Sequence, residues 1–272
     1  MALLNHFQRA NHSEPQHRWD RCVHDEASRP VCDLAADVAE EAVRLRCGGV
    51  PGLFTSWVSK RGGNGHTLPN AKTMLSAFVR PSFGVPGAPP SANHLEGAVG
   101  ELIWYLLVRD FTHEPALVYL AEPSLSPLDH GGDGFAVHVG SGGSLVFRLW
   151  EVKKNTGGSP ISSTVATAYN QLTERGTEYL ARLIPQEQRN PDPNVRALVS
   201  RSMDHWVNGD PEAAAGVAVS ASTPHLPKKS FSTMPTHFPN MTAPNRLRGL
   251  IAGVDDLPAF AANVRDEVWS GL

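Results

Sequence analysis

Two runs that read as strands, DGFAVHV at 133–139 and SLVFRLWEVK at 144–153, are joined by only four small residues, GSGG at 140–143. A Gly-rich connection this short permits little besides an antiparallel hairpin. With GSGG as the turn, facing residues have numbers that sum to about 283 or 284, so Asp133 lies opposite Trp150 or Glu151. Side chains alternate between the two faces of a strand. Phe135, Val137 and Val139 therefore share the face of Asp133, while Leu145, Phe147 and Leu149 share that of Glu151 and Lys153. Two apolar stripes thus end in two acids and a lysine. Val146, Arg148, Trp150, Val152 and Lys154 occupy the other face, so the adjacent lysines of LWEVKKN are not equivalent.

Two carboxylates with β-carbons about 5 Å apart repel each other unless a positive group sits between them. A divalent cation meets that need. Mg²⁺ takes one or two carboxylates and keeps waters and substrate phosphates in the rest of its shell, which leaves Lys153 to orient a water or stabilise charge on a phosphate. The plain alternative is an Asp–Lys–Glu network at a sheet end. Glu101 adds to the chemical reading because it lies in GELIWYLLV, among apolar neighbours. An unpaired carboxylate there costs several kcal/mol and calls for a partner such as a metal or Lys153; the alternative is a narrow wet stripe on the helix. Glu96, roughly 140° away around that helix, is expected as a first-turn acid facing the helix dipole.

The order of elements follows. EGAVGELIWYLLVRD reads as a helix buried on most sides, ALVYLAE as a strand, then come the hairpin and the long amphipathic helix TVATAYNQLTERGTEYLARLI. AAAGVAVSAS and RLRGLIAGV read as strands, and DLPAFAANVRDEVW as a helix with Asp256 as N-cap. Upstream, residues 1 to about 26 are polar without a clear period, as in a loosely ordered arm, and PVCDLAADVAEEAVRLRC has helical spacing. The Pro/Gly-rich PSFGVPGAPPSANH marks a boundary between a mainly helical N-terminal region, 1–92, and a domain over 93–272. The proline-rich stretch 223–246, with His225 and His237, reads as a long irregular loop of the kind that is often functional.

A helix glutamate (Glu101), an aspartate opening one strand (Asp133, followed by Gly134), Glu151-Val152-Lys153 closing the next and then a helix resemble the PD-(D/E)XK nuclease superfamily over roughly 93–184. The resemblance implies a restriction-endonuclease-like α/β fold with an αβββαβ core and a mixed central sheet, and Mg²⁺- or Mn²⁺-dependent hydrolysis of phosphodiester bonds. It implies Asp133 and Glu151 as metal ligands, the Val152 carbonyl and Glu101 as further ones, and Lys153 as the catalytic lysine. Residue 132 is glycine where many members have proline. The glutamine–tyrosine signature of the exonuclease branch is missing, since Arg175 stands four residues after Gln171. That points away from a processive exonuclease. Gln171 and Arg175 still share a helix face, either a solvated one or one that touches the phosphate backbone. Lys154 joins them as a candidate substrate contact, although its face makes it dispensable for the cleavage step. Within the superfamily, GELIWYLLVRDF, the DG hairpin and EVKK are similar to the HamA-type nuclease subunit of Hachiman anti-phage defence, over 93–272. That similarity implies DNA as substrate and a helicase partner that restrains and licenses cleavage.

Composition bounds these readings. With 24 Lys and Arg against 27 Asp and Glu, no global positive field recruits nucleic acid, so binding needs a local patch or a partner. Three cysteines without a CxxC pair are expected as free thiols in a reducing compartment. LIWYLLV is too short to span a bilayer and MALLNHFQRANH lacks a signal-peptide pattern, so the expected location is the cytoplasm with no membrane partner. The chain has no G-x-x-x-x-G-K-[ST], G-x-S-x-G or H-E-x-x-H motif, which argues against a P-loop motor, an α/β-hydrolase and a zinc peptidase. The alternative from another class is a catalytically silent nuclease-fold module that binds nucleic acid or a partner protein. Retention of Asp133, Glu151 and Lys153 together argues against it.

Overall fold

The computed structural model describes residues 2–27, 29–85, 92–111, 116–123, 133–226 and 231–272; the centre of the expected boundary stretch, 86–91, and Gly132 lie outside them. In chain order the elements are β1 (Phe7–Ser13), β2 (Arg18–His24), α1 (Val31–Cys47), α2 (Leu53–Arg61), α3 (Ala71–Phe83), α4 (Ala92–Asp110), β3 (Leu117–Leu120), β4 (Gly134–Val139) and β5 (Leu145–Asn155). There follow α5 (Ile161–Glu187), α6 (Pro193–Ser200), α7 (Ser202–Asn208), β6 (Ala213–Ser222), α8 (Met234–His237), β7 (Leu247–Val254) and α9 (Leu257–Ser270). The protein is thus mixed α/β, and α4, β3, β4, β5, α5 and β6 occur in the expected α-β-β-β-α-β order, with α6 and α7 inserted before β6.

β4 and β5 form the hairpin in the register with sum 284, from Val139 opposite Leu145 to Gly134 opposite Trp150. Gly142 and Gly143 make the turn at φ 78° and 84°, a region that residues with a Cβ avoid. Seven strands form one sheet in the order β1-β2-β7-β6-β5-β4-β3. The central strands β2, β7, β6 and β5 run parallel, and β1, β4 and β3 are antiparallel to their neighbours. Parallel strands covered on both faces need unbroken runs of small and apolar residues. Every residue of β6 and of β7 is accordingly buried.

The parity read from the hairpin decides which core each side chain enters. Phe135, Val137, Phe147 and Leu149 pack with Val217 and Val219 under α5, whereas Trp150, Val152 and Ala218 pack under α4 with α1 and α9 beyond it. This explains why α4 is apolar all round: Leu102 to Val108 are all buried, between the sheet on one side and helices on the other. Two glycines make room for the ring pair that seats α4. A Cβ on Gly134 would lie 1.9 Å from the Trp104 ring, and one on Gly216 2.4 Å from the Trp150 ring, where the two indoles are 5.8 Å apart.

The N-terminal arm is a correction to the sequence reading. Residues 7–24 form the β1-β2 hairpin, and β2 extends the sheet by pairing parallel to β7, Arg18 opposite Arg248. Its buried face is partly ionic, which hides the period-two pattern. Asp20 is fully buried and accepts from Arg9 (2.8 Å), Asn11 (2.9 Å) and Arg248 (2.8 Å). The sheet therefore runs across the expected boundary at 92/93. The stretch 231–246 also differs from an irregular loop: it contains α8, and Phe231, Met234, Phe238 and Met241 are buried in the core under α5. Among the described residues no helix is long and apolar enough to cross a membrane.

Candidate functional site

The ladder between β4 and β5 stops at Gly134 and Trp150, and one further step in the same register sets Asp133 opposite Glu151. Asp133 Oδ2 accepts a hydrogen bond from the Val152 N–H at 2.7 Å. The N–H and C=O of one strand residue point to the same edge. The Val152 carbonyl therefore faces the edge on which Asp133 sits.

Glu151 is fully buried. Its Oε1 accepts from Lys153 Nζ at 2.5 Å, while its Oε2 is buried without a nitrogen or hydroxyl donor, and the Glu151 and Asp133 carboxyls lie within hydrogen-bonding reach of each other. Burial pushes the Glu151 carboxyl up to about 8, with the Asp133 charge adding to the rise and Lys153 opposing it. Lys153 keeps 26% of its side chain exposed, so its ammonium reaches from the buried carboxylate toward the surface. The arrangement is a close pair of acids, a backbone carbonyl and a lysine on one sheet edge. The donors are hard oxygens and two of them belong to acids set against each other, which fits a small divalent cation.

The α5 helix covers this end of the sheet. Gln171 Nε2 donates to Tyr179 Oη at 2.7 Å, and the Arg175 guanidinium lies 5.4 Å from the centre of the Tyr179 ring and pairs with Glu178 at 3.3 Å. Tyr179 lines the same cleft as Asp133, and burial, and next the Glu151 charge, push its hydroxyl up to about 12. Tyr179 was not singled out by sequence reasoning. The signal was present in the spacing, since residues 171, 175 and 179 recur every fourth position and form one stripe. Gln171 has a tyrosine partner after all, two turns on rather than one.

Beside Asp133 a cleft of about 400 Å³ opens between β3, β4, α4 and the second half of α5; Tyr105, Tyr119, Tyr179, Arg182 and Glu187 help to line it. Glu101 is half-buried on α4, one turn before Tyr105 and on the same stripe. Lys154 lies on the α4 face and forms an ion pair with Glu96. Glu96 departs from its expected role. It is the fifth residue of α4, past the first turn where an acid would oppose the helix dipole, and it is 7% exposed.

Among the described residues, one group of three side chains brings its ligand atoms all within 4.8 Å of one another: His205, Asp210 and Glu212, just before β6. Glu101, Asp133 and Glu151 do not form such a trio. Arg246 donates to the Asp210 carbonyl at 2.5 Å, so a fixed cation already sits by the His205 group. The His225 side chain lies outside the described residues, and His237 packs with its ring centre 5.0 Å from that of Tyr169. No protein-family model and no curated protein sequence matches this chain.

Proposed function

We propose that the chain is a metal-dependent nuclease of the PD-(D/E)XK type that hydrolyses phosphodiester bonds of DNA. The observation that carries the reading is the buried Glu151 carboxyl set against Asp133, with Lys153 on the same sheet face. Two carboxylates this close are costly to ionise together, and a cation removes the cost for both at once. Support also comes from its position, at the end of the β4-β5 hairpin inside the α-β-β-β-α-β run.

Asp133, Glu151 and the Val152 carbonyl would hold Mg²⁺ or Mn²⁺, with Glu101 as the ligand offered by α4. When bound, the ion supplies Lewis acidity and a water of lowered pKa. The chain's own groups do the rest. The Val152 N–H fixes the Asp133 carboxylate. Lys153, held by Glu151, is placed to donate to an attacking water or to a phosphoryl oxygen. Gln171 and Arg175 present donors to the backbone phosphates from α5.

A helicase partner, and with it a role in anti-phage defence in the cytoplasm, belongs to the same proposal. It rests on the similarity of GELIWYLLVRDF, the DG hairpin and EVKK to HamA-type subunits, and a net charge of −3 suits a nuclease that is delivered to DNA by another protein. The three free cysteines suit a reducing compartment.

One observation favours a second reading, a catalytically silent module: with a pKa near 8 Glu151 is largely neutral at pH 7 and needs no metal. Plasmid and linear DNA incubated in Mg²⁺, Mn²⁺ or EDTA separate the two. Cleavage by the wild type, lost in Glu151→Ala and Lys153→Ala, is the nuclease outcome; metal-independent binding without nicking by any form is the silent one.

A further inference from the structure

Among the described residues the sheet ends in two edges of different character, β3 on one side and β1 on the other. β3 is four residues long, and its pairing to β4 shifts register between Leu117 and Tyr119. Short and irregular edges resist pairing with another chain. β1 has neither protection. Phe7–Ser13 runs for seven residues in unbroken register with β2, without proline, lysine or bulge. Its one charge, Arg9, is bound to Asp20 of its own chain at 2.8 Å. Bonds at the two ends of the hairpin, from the Asp25 N–H to the His6 carbonyl and from the Glu14 N–H to the His17 carbonyl, set the phase of the ladder. Gln8, Ala10 and His12 therefore turn their backbone groups toward β2, while Phe7, Arg9, Asn11 and Ser13 turn theirs outward. The Phe7 N–H is taken by the Leu4 carbonyl. Among the described residues no hydrogen bond reaches the outward N–H groups of Arg9, Asn11 and Ser13.

We propose that β1 pairs antiparallel with β1 of a second copy of this chain, so that two sheets join across a two-fold axis. The inference does not depend on the nuclease reading. Pairing about a two-fold axis requires that outward residues of one copy meet outward residues of the other. Three centres satisfy this along the middle of β1. Centring on Arg9 sets two guanidinium groups directly opposite each other, which is unfavourable. Centring on Asn11 leaves Phe7 opposite Pro15, which has no N–H to give. Centring on Ala10 uses the whole strand. Phe7 then faces Ser13, Gln8 faces His12, Arg9 faces Asn11, and Ala10 faces its own counterpart. Arg9 and Asn11 of opposite copies exchange both backbone bonds, and each Ser13 N–H donates to the Phe7 carbonyl of the other copy. The smallest side chain of the strand thus sits at the axis, where facing residues without mutual backbone bonds approach most closely. Gln8, Ala10, Asn11 and Ser13 are exposed, so the edge is open to a partner. One pair of strands buries less than a standard interface of about 1,600 Å², so association should depend on concentration.

Analytical ultracentrifugation of the full chain over a range of concentrations reads the mass, which is expected to rise from that of one copy toward that of two. Hydrogen exchange reads the surface. The amides of Arg9, Asn11 and Ser13 should gain protection as concentration rises, and those of β3 should not. Cross-linking reads the register. In a Cys32→Ser background, which removes the exposed thiol, Ala10→Cys treated with diamide is expected to give a covalent dimer, because facing Cα atoms about 4.5 Å apart suit a disulfide. Gln8→Cys lies four positions from its own counterpart and should not cross-link. Ala10→Lys sets two ammonium groups face to face and is expected to weaken the dimer about fivefold; thermal melting checks that each variant folds. A chain with the mass of one copy at every concentration, and no cross-link in Ala10→Cys, overturns the proposal. A dimer that Ala10→Lys leaves intact and that cross-links in Gln8→Cys but not in Ala10→Cys overturns it as well. Protection of the three amides only when a different protein is added, with the chain itself monomeric, overturns the second copy and assigns the edge to a strand of that protein.

Discussion

Lys154 and Glu96 form an ion pair on the sheet face opposite the one that carries Lys153 and Glu151. The two neighbouring lysines thus have separate partners, one buried acid each. Lys154→Ala strands a carboxylate that is 9% exposed, which costs about 1–3 kcal/mol in urea unfolding. Metal-dependent cleavage stays within a few-fold of wild type. Lys153→Ala, by contrast, is expected to lower cleavage by about 10² or more, at a similar cost in stability because it removes the donor of the buried Glu151. The reverse outcome, cutting lost in Lys154→Ala and kept in Lys153→Ala, would place the wrong lysine in the site.

Glu151 makes stability depend on pH in an unusual direction. In the unfolded chain the carboxyl loses its proton near the ordinary 4.5, in the folded chain near 8. Between these values the folded state binds more protons, so stability falls as pH rises from about 4.5 to about 8 and is level above that. A bound divalent cation favours the ionised carboxylate and should flatten the slope. Melting temperatures without metal are expected to drop across this window, and added Mg²⁺ or Mn²⁺ to restore more at pH 8 than at pH 5. Glu151→Gln should abolish both effects. A metal-free melting curve that is the same at pH 5 and pH 8 would show that Glu151 titrates as an ordinary acid.

Gly134 carries the contact that ties α4 to the site. A Cβ there would fall 1.9 Å from the Trp104 ring, which is itself buried and lies against Trp150. Gly134→Ala should cost about 1–3 kcal/mol through forced repacking. It should also weaken metal binding, because Asp133 is the preceding residue and its placement follows the backbone of Gly134. Calorimetric titration with Mn²⁺ reads the second effect separately from the first. A variant with wild-type stability would mean that the indole moves freely, contrary to its packing.

What the sequence made legible was local. The hairpin's turn and its alternation determine register and parity with no knowledge of the rest of the chain, and both the facing of Asp133 on Glu151 and the separation of Lys153 from Lys154 follow. Phase around α4 was not legible, because a helix that is apolar on all sides gives no indication of which of Glu96 and Glu101 meets the sheet. The β1-β2 hairpin was hidden for a different reason. Its buried polar residue, Asp20, is satisfied by Arg248, 228 positions away, and no local pattern announces such a partner. Tyr179 was missed because the four-residue step from Gln171 falls on Arg175, and the hydrogen-bonded tyrosine comes one further step along the same stripe.

That long-range partnership makes the N-terminal hairpin testable. Burial alone would raise the Asp20 carboxyl, but Arg248, Asn11 and Arg9 outweigh it and hold the group below the ordinary 3.8. A depressed carboxyl contributes stability that is present above the unfolded value and is lost as pH falls through the folded one. Acid unfolding below about pH 4 should therefore include the protonation of Asp20. Asp20→Asn leaves two guanidinium groups facing a neutral amide, and the loss of one partner from a buried ionic cluster costs about 3–5 kcal/mol. Amides of β2 should then exchange faster than those of β6, which sits deeper in the sheet. A loss below about 1 kcal/mol, with β2 protection unchanged, would mean that backbone pairing to β7 holds the hairpin without its ions.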